Sequence, residues 1–399
     1  MRKLIIDKFG PVEHAEIEIK RYNLFIGQQS IGKSTIAKII TMLSDRINLI
    51  RLLQGDIESW RQLLDEYSLG AFLVNQNYRI NYLVREKSYE ASITIARNRI
   101  AKSIKVNGAE VTDTDIIAKL LLEAKPIYHK DQLYKQLSYI RTGKDYKNSD
   151  TLSLLKDSLY VPAERNIVSS VGKLQPVMML TDSVIEKNLL RFMIESNNAK
   201  EYQHEVKIPL LGISYIREND EDYFVMDGRK TKWPLRIASS GIQSLLPLYI
   251  VLNYALKRKE YSSYVIEEPE CNLFPDKQVE LLKHLLSNIS KESMTLTITT
   301  HSPYILSAMN NYLLAGTIVE KYGEAGSNFI KTHFKDLPVL DCTQCSVYSL
   351  GMSINEGVYC KSLIDEDSKM IDANTLDEVS FQLSNEFEAL DNYILEKER

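Results

Sequence analysis

The opening of the chain alternates between apolar and polar positions in a way that is typical of strands. Apolar positions within residues 4–6, 17–19 and 22–26 predict two strands and then a buried strand that ends at Gly27. A further apolar set recurs every three or four residues, as on one face of a helix, and consists of Ile36, Ile39, Ile40, Leu43, Ile47 and Ile50. This region therefore predicts three strands, a glycine-containing loop and a helix.

The middle of the chain mixes both patterns. Between about residues 45 and 159, helical pieces flank a strand-like run at residues 90–95, which predicts an inserted segment of mixed structure. Strands and turns return at residues 212–234, where Asp227 and Gly228 predict a hairpin turn.

Strands and helices then alternate. Residues 243–256 are predicted to be helical, and residues 264–266 and 296–299 are short β-rich runs separated by a predicted helix at residues 278–289. Such alternation implies parallel strands joined by crossover helices. The predicted fold class is therefore α/β.

Composition places the chain among soluble globular proteins. It has 399 residues, of which 44% are hydrophobic and 26% charged, enough apolar side chains for a sizeable core. Four cysteines do not suggest a disulfide scaffold, no apolar run approaches the roughly 18 residues of a membrane span, and the start of the chain lacks a signal-peptide layout. These features predict a cytoplasmic protein that does not enter the membrane.

Charge is unevenly distributed along the chain. Residues 79–147 carry 14 Lys and Arg against 8 Asp and Glu, whereas residues 361–399 carry 4 against 11. A pI near 6.0 excludes a generally basic nucleic-acid coat but not a local basic patch. Each segment is interpreted either as a solvated face or as a surface that meets a partner.

The strongest motif follows the third predicted strand. Residues 27–34 read GQQSIGKS and fit the phosphate-binding pattern G-x-x-x-x-G-K-[ST], in which backbone N–H groups and a helix N-terminus face phosphate oxygens. We expect Lys33 to reach the β- and γ-phosphates of ATP and the Ser34 hydroxyl to bind Mg²⁺. The predicted cofactor-binding residues are Gly27, Gln28, Gln29, Ser30, Ile31, Gly32, Lys33, Ser34 and Thr35.

A second site lies at the end of the β-rich run at residues 264–266. Two adjacent carboxylates, Glu267 and Glu268, follow this run. A magnesium-nucleotide site needs one carboxylate that holds the ion and another that deprotonates the attacking water. We assign Glu267 to the metal and Glu268 to the base. Adjacent acidic residues alone would be read as a surface strand end.

Two further segments are ordinary by themselves but become informative because of their order along the chain. Ser240 and Gly241 precede an apolar helix, which alone is typical of a helix cap, and His301 follows a strand-like run, where a histidine is more often structural. A phosphate loop, a Ser-Gly turn, a Glu-Glu-Pro strand and a strand-end histidine, in that order, resemble the ABC-type ATPase head. The resemblance is closer to the SMC-like and OLD-like branch, of the AAA_15 or AAA_21 kind.

Other segments extend this resemblance. The run EEPE at residues 267–270 is followed by LFP at residues 273–275, as in that branch. The run YVPAER at residues 160–165 is similar to a strand-end segment of the same proteins. The likeness covers roughly residues 1–45 and 155–315.

The resemblance implies a domain organisation. An ABC-type ATPase head, a P-loop NTPase with a mixed sheet and flanking helices, is expected from residues 1–45 and 155–330. Residues 46–154 are then a mixed α/β insertion, and residues 331–399 are a C-terminal segment that is mostly helical.

The resemblance also implies roles for site residues. Ser240 and Gly241 act in that family as the signature motif, which contacts the γ-phosphate bound by a second subunit. His301 takes the place of the catalytic switch histidine. The signature lacks its usual second glycine, and no glutamine marks the Q-loop, so that Arg165 or Glu164 is expected to take the role of the Q-loop.

A nuclease module such as OLD proteins carry is not recognised in the sequence. The Asp-Glu-Asp run at residues 365–367 lies in an acidic tail that is predicted to be helical. The chain therefore resembles the ATPase subunits of two-component anti-phage systems, first PARIS (AriA) and second Septu (PtuA). The resemblance implies a Mg²⁺-dependent ATPase switch that forms homo-oligomers, holds or releases a separate effector nuclease and responds to a phage-encoded trigger.

The alternatives are an SMC-like or repair-type ATPase that binds DNA through the insertion and, third, a transporter ATPase.

Two patterns remain near the C-terminal end. Cys342 and Cys345 suggest a zinc site, to which Cys360 and His333 would add ligands, but a second close ligand pair is missing and ordinary thiols are favoured.

An apolar stripe predicts an amphipathic helix that docks on the head, joins subunits or binds the effector. Its members are Leu376, Val379, Leu383, Phe387, Leu390 and Ile394.

Overall fold

The computed structural model of the protein describes residues 1–74, 77–85, 89–111, 158–171, 185–259, 261–289, 294–353 and 358–371. The predicted C-terminal stripe lies outside these residues, as does the part of the predicted insertion from residue 112 to residue 154. No helix in the described ranges is long and apolar enough to cross a membrane.

A six-stranded central sheet carries the motifs. Its strands, in spatial order, are β16 (Val358–Ser362), β15 (Cys345–Ser353), β3 (Tyr22–Gly27), β14 (Thr295–Thr300), β13 (Ser263–Glu267) and β8 (Ser158–Val161). The five strands from β15 to β8 are parallel, and only the edge strand β16 is antiparallel. The predicted parallel α/β arrangement is confirmed.

Four of the five parallel strands, all except β14, contribute to two apolar cores because successive side chains point to opposite faces. In β13, Tyr264 and Ile266 belong to one core, whereas Val265 belongs to the other. Both faces of the sheet are therefore covered, which explains why strands such as β3 and β13 read as nearly continuous apolar runs rather than as alternating ones.

A second, antiparallel sheet lies beside the first helix. Its order is β2 (Val12–Ile19), β1 (Arg2–Phe9), β4 (Arg79–Arg85), β5 (Tyr89–Ala96), β6 (Arg99–Val106) and β7 (Ala109–Glu110). Strand β4 pairs with β1, so residues predicted to form an insertion complete a sheet that the first residues begin. The head and this part of the insertion therefore share one core.

A third, four-stranded antiparallel sheet confirms the predicted strands around residues 212–234. It consists of β12 (Lys232–Pro234), β11 (Glu221–Met226), β10 (Ile213–Glu218) and β9 (Glu205–Ile208). The β11–β12 hairpin turns at the predicted Asp227 and Gly228.

Eight α-helices occur in the described residues and pack on the sheets. They are α1 (Lys33–Ser44), α2 (Arg46–Gln54), α3 (Ile57–Glu66), α4 (Ile167–Val171), α5 (Lys187–Tyr202), α6 (Ser240–Arg258), α7 (Pro275–Asn288) and α8 (Pro303–His333), the last broken at Gly323. The apolar stripe at residues 36–50 predicts one helix, but the structure has two. The carboxylate of Asp45 accepts the N–H groups of Ile47 and Asn48 and so begins a new helix after α1.

The structure describes part of the C-terminal segment, residues 331–399, which was predicted to be mostly helical. In its described residues, the chain beyond α8 contains the strands β15 and β16, and β15 pairs in parallel with β3 and extends the central sheet. Residues 365–367 form a turn rather than a helix. Cys345 is buried in β15, and the described residues contain no group of three or more His, Cys, Asp or Glu that could hold a metal ion.

Candidate nucleotide-binding site

The phosphate loop, residues 27–34, connects β3 to α1 at the carboxyl edge of the central sheet. Gly27 and Gly32 have φ angles of 156° and 93°. A Cβ atom at Gly27 would lie 2.5 Å from the carbonyl oxygen of Leu350, and one at Gly32 would lie 2.8 Å from Cγ2 of Val12. Both positions therefore require glycine, and the loop closes into the tight curve that the motif predicts.

Lys33 lies inside this curve. Its side chain is buried, and its Nζ atom donates to the carbonyl oxygens of Gly27 at 2.8 Å and Gln28 at 2.5 Å. Burial lowers the pKa of Lys33, while the charges of Glu268 and Glu267 raise it. The ammonium group is thus placed between the loop and the glutamates that follow β13.

Glu267 and Ser34, the two predicted metal ligands, lie together. The carboxyl group of Glu267 is buried, and its Oε1 atom has no hydrogen-bond partner among the described residues. Burial raises the pKa of Glu267, whereas the hydroxyl groups of Tyr160 and Ser34 and the charge of Lys38 lower it. A buried carboxylate oxygen beside a serine hydroxyl is a donor set that suits a hard divalent cation.

Glu268, the predicted base, is held on both sides. Its Oε1 atom lies 3.1 Å from Nε2 of His301, and its Oε2 atom accepts from the thiol of Cys271 at 3.2 Å. Burial and the neighbouring Glu268 raise the pKa of Cys271 to about 12, so the thiol keeps its proton and acts as a donor. The Glu268 side chain remains about one-third exposed and can reach water.

Glu270 belongs to the same constellation, although the sequence assigned it no role. Its Oε1 atom accepts from the hydroxyl of Thr300 at 2.5 Å and from the backbone N–H of His301 at 2.9 Å. Burial raises the pKa of Glu270. The signal that could have identified it is its place in the EEPE run, next to the two assigned carboxylates.

The predicted signature residues are on the surface. Ser240 and Gly241 form the first turn of α6, and a Cβ atom at Gly241 would lie 2.9 Å from the carbonyl oxygen of Asn272. Among the described residues, neither has a hydrogen bond to the phosphate loop or to the glutamates. Apolar side chains flank this turn, since Phe274 is 80% exposed and Ile237 is 60% exposed.

Arg165, one of the two residues expected to take the role of the Q-loop, points into the protein interior. Its guanidinium group is fully buried and donates to backbone carbonyl groups, including those of Glu267 and Glu268. Glu164 is exposed in the short 3-10 helix that follows β8, and its charge contributes to the raised pKa of Glu267. Arg165 therefore stabilises the backbone behind the site rather than facing the phosphate loop.

The chain is similar to one protein family and to several solved structures. The family model described as AAA ATPase domain, AAA_15, matches residues 1–306. Similar solved structures include the SMC head domain from Thermotoga maritima, with 14% sequence identity, a TM-score of 0.38, and coverage of 76% of this chain and 90% of that chain. The recombination mediator protein RecF of the RecFOR pathway shows 12% identity and a TM-score of 0.32, covering 87% of this chain and 95% of that one.

An Smc head domain bound to the C-terminal domain of ScpA, derived from Pyrococcus furiosus, is 14% identical with a TM-score of 0.37 and covers 77% of this chain and 92% of that one. No curated protein matches the sequence. The family model alone covers more than half of the chain and includes the phosphate loop, the glutamate pair and His301. The protein therefore belongs to the AAA_15 family of AAA ATPase domains.

Proposed function

We propose that the protein is an ATP-binding and ATP-hydrolysing switch subunit that works as a homo-oligomer with composite sites. The observation that carries this proposal is the meeting of Lys33, Ser34, Glu267 and Glu268 at one edge of the central sheet. Lys33 and Ser34 supply a cation and a hydroxyl group at the end of the glycine loop, and the two glutamates supply carboxylates opposite them. Such a set suits the binding and hydrolysis of a triphosphate.

Ser34 and Glu267 are the residues that would hold Mg²⁺. The partnerless Oε1 atom of Glu267, buried beside the Ser34 hydroxyl, supports this fit. When bound, the ion neutralises phosphate charge and orients the terminal phosphate. Lys33 would turn from the loop carbonyl groups to phosphate oxygens, which are stronger acceptors for an ammonium group.

Glu268 would take the proton of the attacking water. Its carboxylate is accessible to solvent, while Cys271 and His301 contact one oxygen atom each and so restrict its orientation. A general base that is held within hydrogen-bond reach of water contributes about 10²–10⁴-fold to a rate.

The surface position of the signature turn supports the composite-site part of the proposal. Ser240 and Gly241 expose the N-terminus of a 19-residue helix, where backbone N–H groups favour an anion. Exposed Phe274 and Ile237 give the same surface an apolar border, which suits contact with a second copy of the chain. ATP would then lie between the phosphate loop of one subunit and the signature turn of its neighbour.

The biological role within this proposal is antiviral defence. The support is the sequence resemblance to the ATPase subunits of PARIS and, second, Septu. In that role the subunit would hold or release a separate effector nuclease when a phage-encoded trigger is detected. The alternative is an SMC-like or repair-type ATPase that binds DNA through the basic region, where Arg85 is paired with Glu90 and Lys102 donates to the carbonyl oxygen of Leu53.

Mixing two inactive variants tests the composite site. We expect Ser240→Arg and Lys33→Ala proteins to be inactive separately, because each lacks one half of every site. A mixed dimer has one site with both halves intact, so an equal mixture should recover up to about one quarter of the wild-type rate. A Ser240→Arg protein that hydrolyses ATP normally, or mixed dimers without activity, would contradict the proposal.

A further inference from the structure

Arg165 lies fully buried behind the candidate site, and it pairs with no carboxylate among the described residues. Its Nε atom donates to the carbonyl oxygen of Ser244 at 3.1 Å. Nη1 donates to Pro162 at 3.2 Å and Glu267 at 2.8 Å, and Nη2 donates to Glu268 at 2.9 Å and Pro269 at 3.0 Å. All five N–H groups of the guanidinium are therefore used by backbone carbonyl groups.

Three of these carbonyl groups are consecutive, from Glu267 to Pro269. They can converge on one cation only if the chain curls as it leaves β13. Glu268 is the residue that curls, with a φ angle of 41°, which a residue with a side chain adopts rarely. Such a conformation persists where surrounding contacts hold it, and Arg165 supplies contacts on both sides of Glu268.

The same arginine reaches the helix that carries the signature turn. Ser244 lies in the second turn of α6, close to Ser240 and Gly241. Ser169, four residues after Arg165, adds a hydrogen bond from its hydroxyl to the carbonyl oxygen of Gln243 at 2.8 Å. The segment after β8 thus bonds both the backbone of Glu268 and the start of α6.

We infer that Arg165 is a positioning residue, which orients the carboxylate of Glu268 for water activation and is itself anchored at the start of α6. This inference rests on the proposed function, because it requires Glu268 to be the base. Arg165 itself touches no reacting atom. Its effect on hydrolysis should therefore pass entirely through Glu268.

Substitution of Arg165 tests whether it contributes to hydrolysis rather than to ATP binding. In Arg165→Lys the charge remains, but an ammonium group has three donors and no planar fork, so it cannot bond all five carbonyl groups. We expect the single-turnover hydrolysis rate to fall about 10- to 100-fold, as for a misplaced catalytic group, while the Kd for ATP stays within about twofold. Arg165→Gln, which removes the buried charge, is the second variant if the lysine protein does not fold.

A matched control is Arg51→Lys. Arg51 is also buried, but it lies on α2 and pairs with Glu66 at 2.9 Å. This variant is expected to lower the melting temperature without changing the hydrolysis rate of the folded protein. Equal losses of rate in both variants would show that Arg165 has only a general structural role.

A double-mutant cycle with Glu268→Gln tests whether Arg165 acts through Glu268. If Arg165 acts through Glu268, adding Arg165→Lys to Glu268→Gln should change the residual single-turnover rate less than twofold. A further loss of about tenfold or more would overturn the inference, because independent effects multiply. Normal hydrolysis by Glu268→Gln alone would instead overturn the proposed function, so the two failures are distinguishable.

Discussion

Nε2 of His301 lies 3.1 Å from Oε1 of Glu268, although 33 positions separate the two residues in the sequence. The contact arises because β13 and β14 are neighbouring parallel strands, with Glu267 opposite Thr299 in register. Each residue follows the end of its strand, so both side chains emerge at the same edge of the sheet. Glu270 strengthens this arrangement by accepting the backbone N–H of His301.

Glu268→Gln should retain ATP binding and lose hydrolysis. The amide cannot accept the proton of water, and we expect the rate to fall about 10²–10⁴-fold. Phosphate release and calorimetric binding of ATP measure the two effects. Glu324→Gln, an exposed site on α8, is the control. Wild-type hydrolysis by the Glu268 variant would show that this residue is not the base.

His301→Ala should have a smaller effect on the same step. It removes one of the two groups that contact the Glu268 carboxylate, and we expect about a tenfold lower hydrolysis rate with little change in ATP affinity. His333→Ala, at the exposed end of α8, provides the comparison. A rate equal to that of the control would mean that the His301 contact is not used in hydrolysis.

Glu267 should make the nucleotide-free protein less stable as pH rises. Burial raises the pKa of this carboxyl group, so the folded state keeps its proton to higher pH than the unfolded state does. Its contribution to stability is present below the unfolded value of about 4.3 and is lost as pH rises through the folded pKa. Urea unfolding should therefore show that Glu267→Gln gains stability over wild type as pH rises. A gain that shrinks with rising pH would contradict the raised pKa.

Lys33→Ala should prevent nucleotide binding. The ammonium group offsets the charge of the phosphates, and no other cation has hydrogen bonds to the described loop residues 27–34. We expect the Kd for ATP to rise about 100-fold or more, equivalent to about 2.7 kcal/mol. Calorimetry measures this change, with Lys277→Ala on α7 as an exposed control. Tight ATP binding by the Lys33 variant would show that Lys33 does not contribute to nucleotide binding.

Phe274→Asp should weaken ATP-dependent self-association. Burying a phenylalanine side chain contributes about 1.5–3 kcal/mol, so its loss should raise the dimer Kd about 10- to 100-fold. Sedimentation with ATP in the Glu268→Gln background measures this, since hydrolysis is then slow. Tyr322→Asp alters another exposed aromatic residue, on α8, and should leave association unchanged. Equal weakening by both variants would place the interface elsewhere.

The pattern of residues along the sequence was sufficient to predict those parts of the candidate site that consist of neighbouring residues. The phosphate loop, the strand before it and the helix after it follow from residues 22–44, because glycine placement and apolar spacing act over a few positions. The same holds for Glu267 and Glu268 at the end of β13, because parallel strands of one sheet present their carboxyl ends together.

Contacts between distant parts of the chain decided the rest. The position of β15 beside β3, the pairing of β4 with β1, and the inward turn of Arg165 all depend on partners more than 70 positions away in the sequence. Periodicity reports which face of an element is apolar, but it does not identify the element that covers this face or the carbonyl groups that satisfy a buried cation. The sequence alone therefore determined the strand, loop and helix of the phosphate-binding motif and the place of Glu267 and Glu268 at a strand end, whereas tertiary packing decided how Glu268 is oriented.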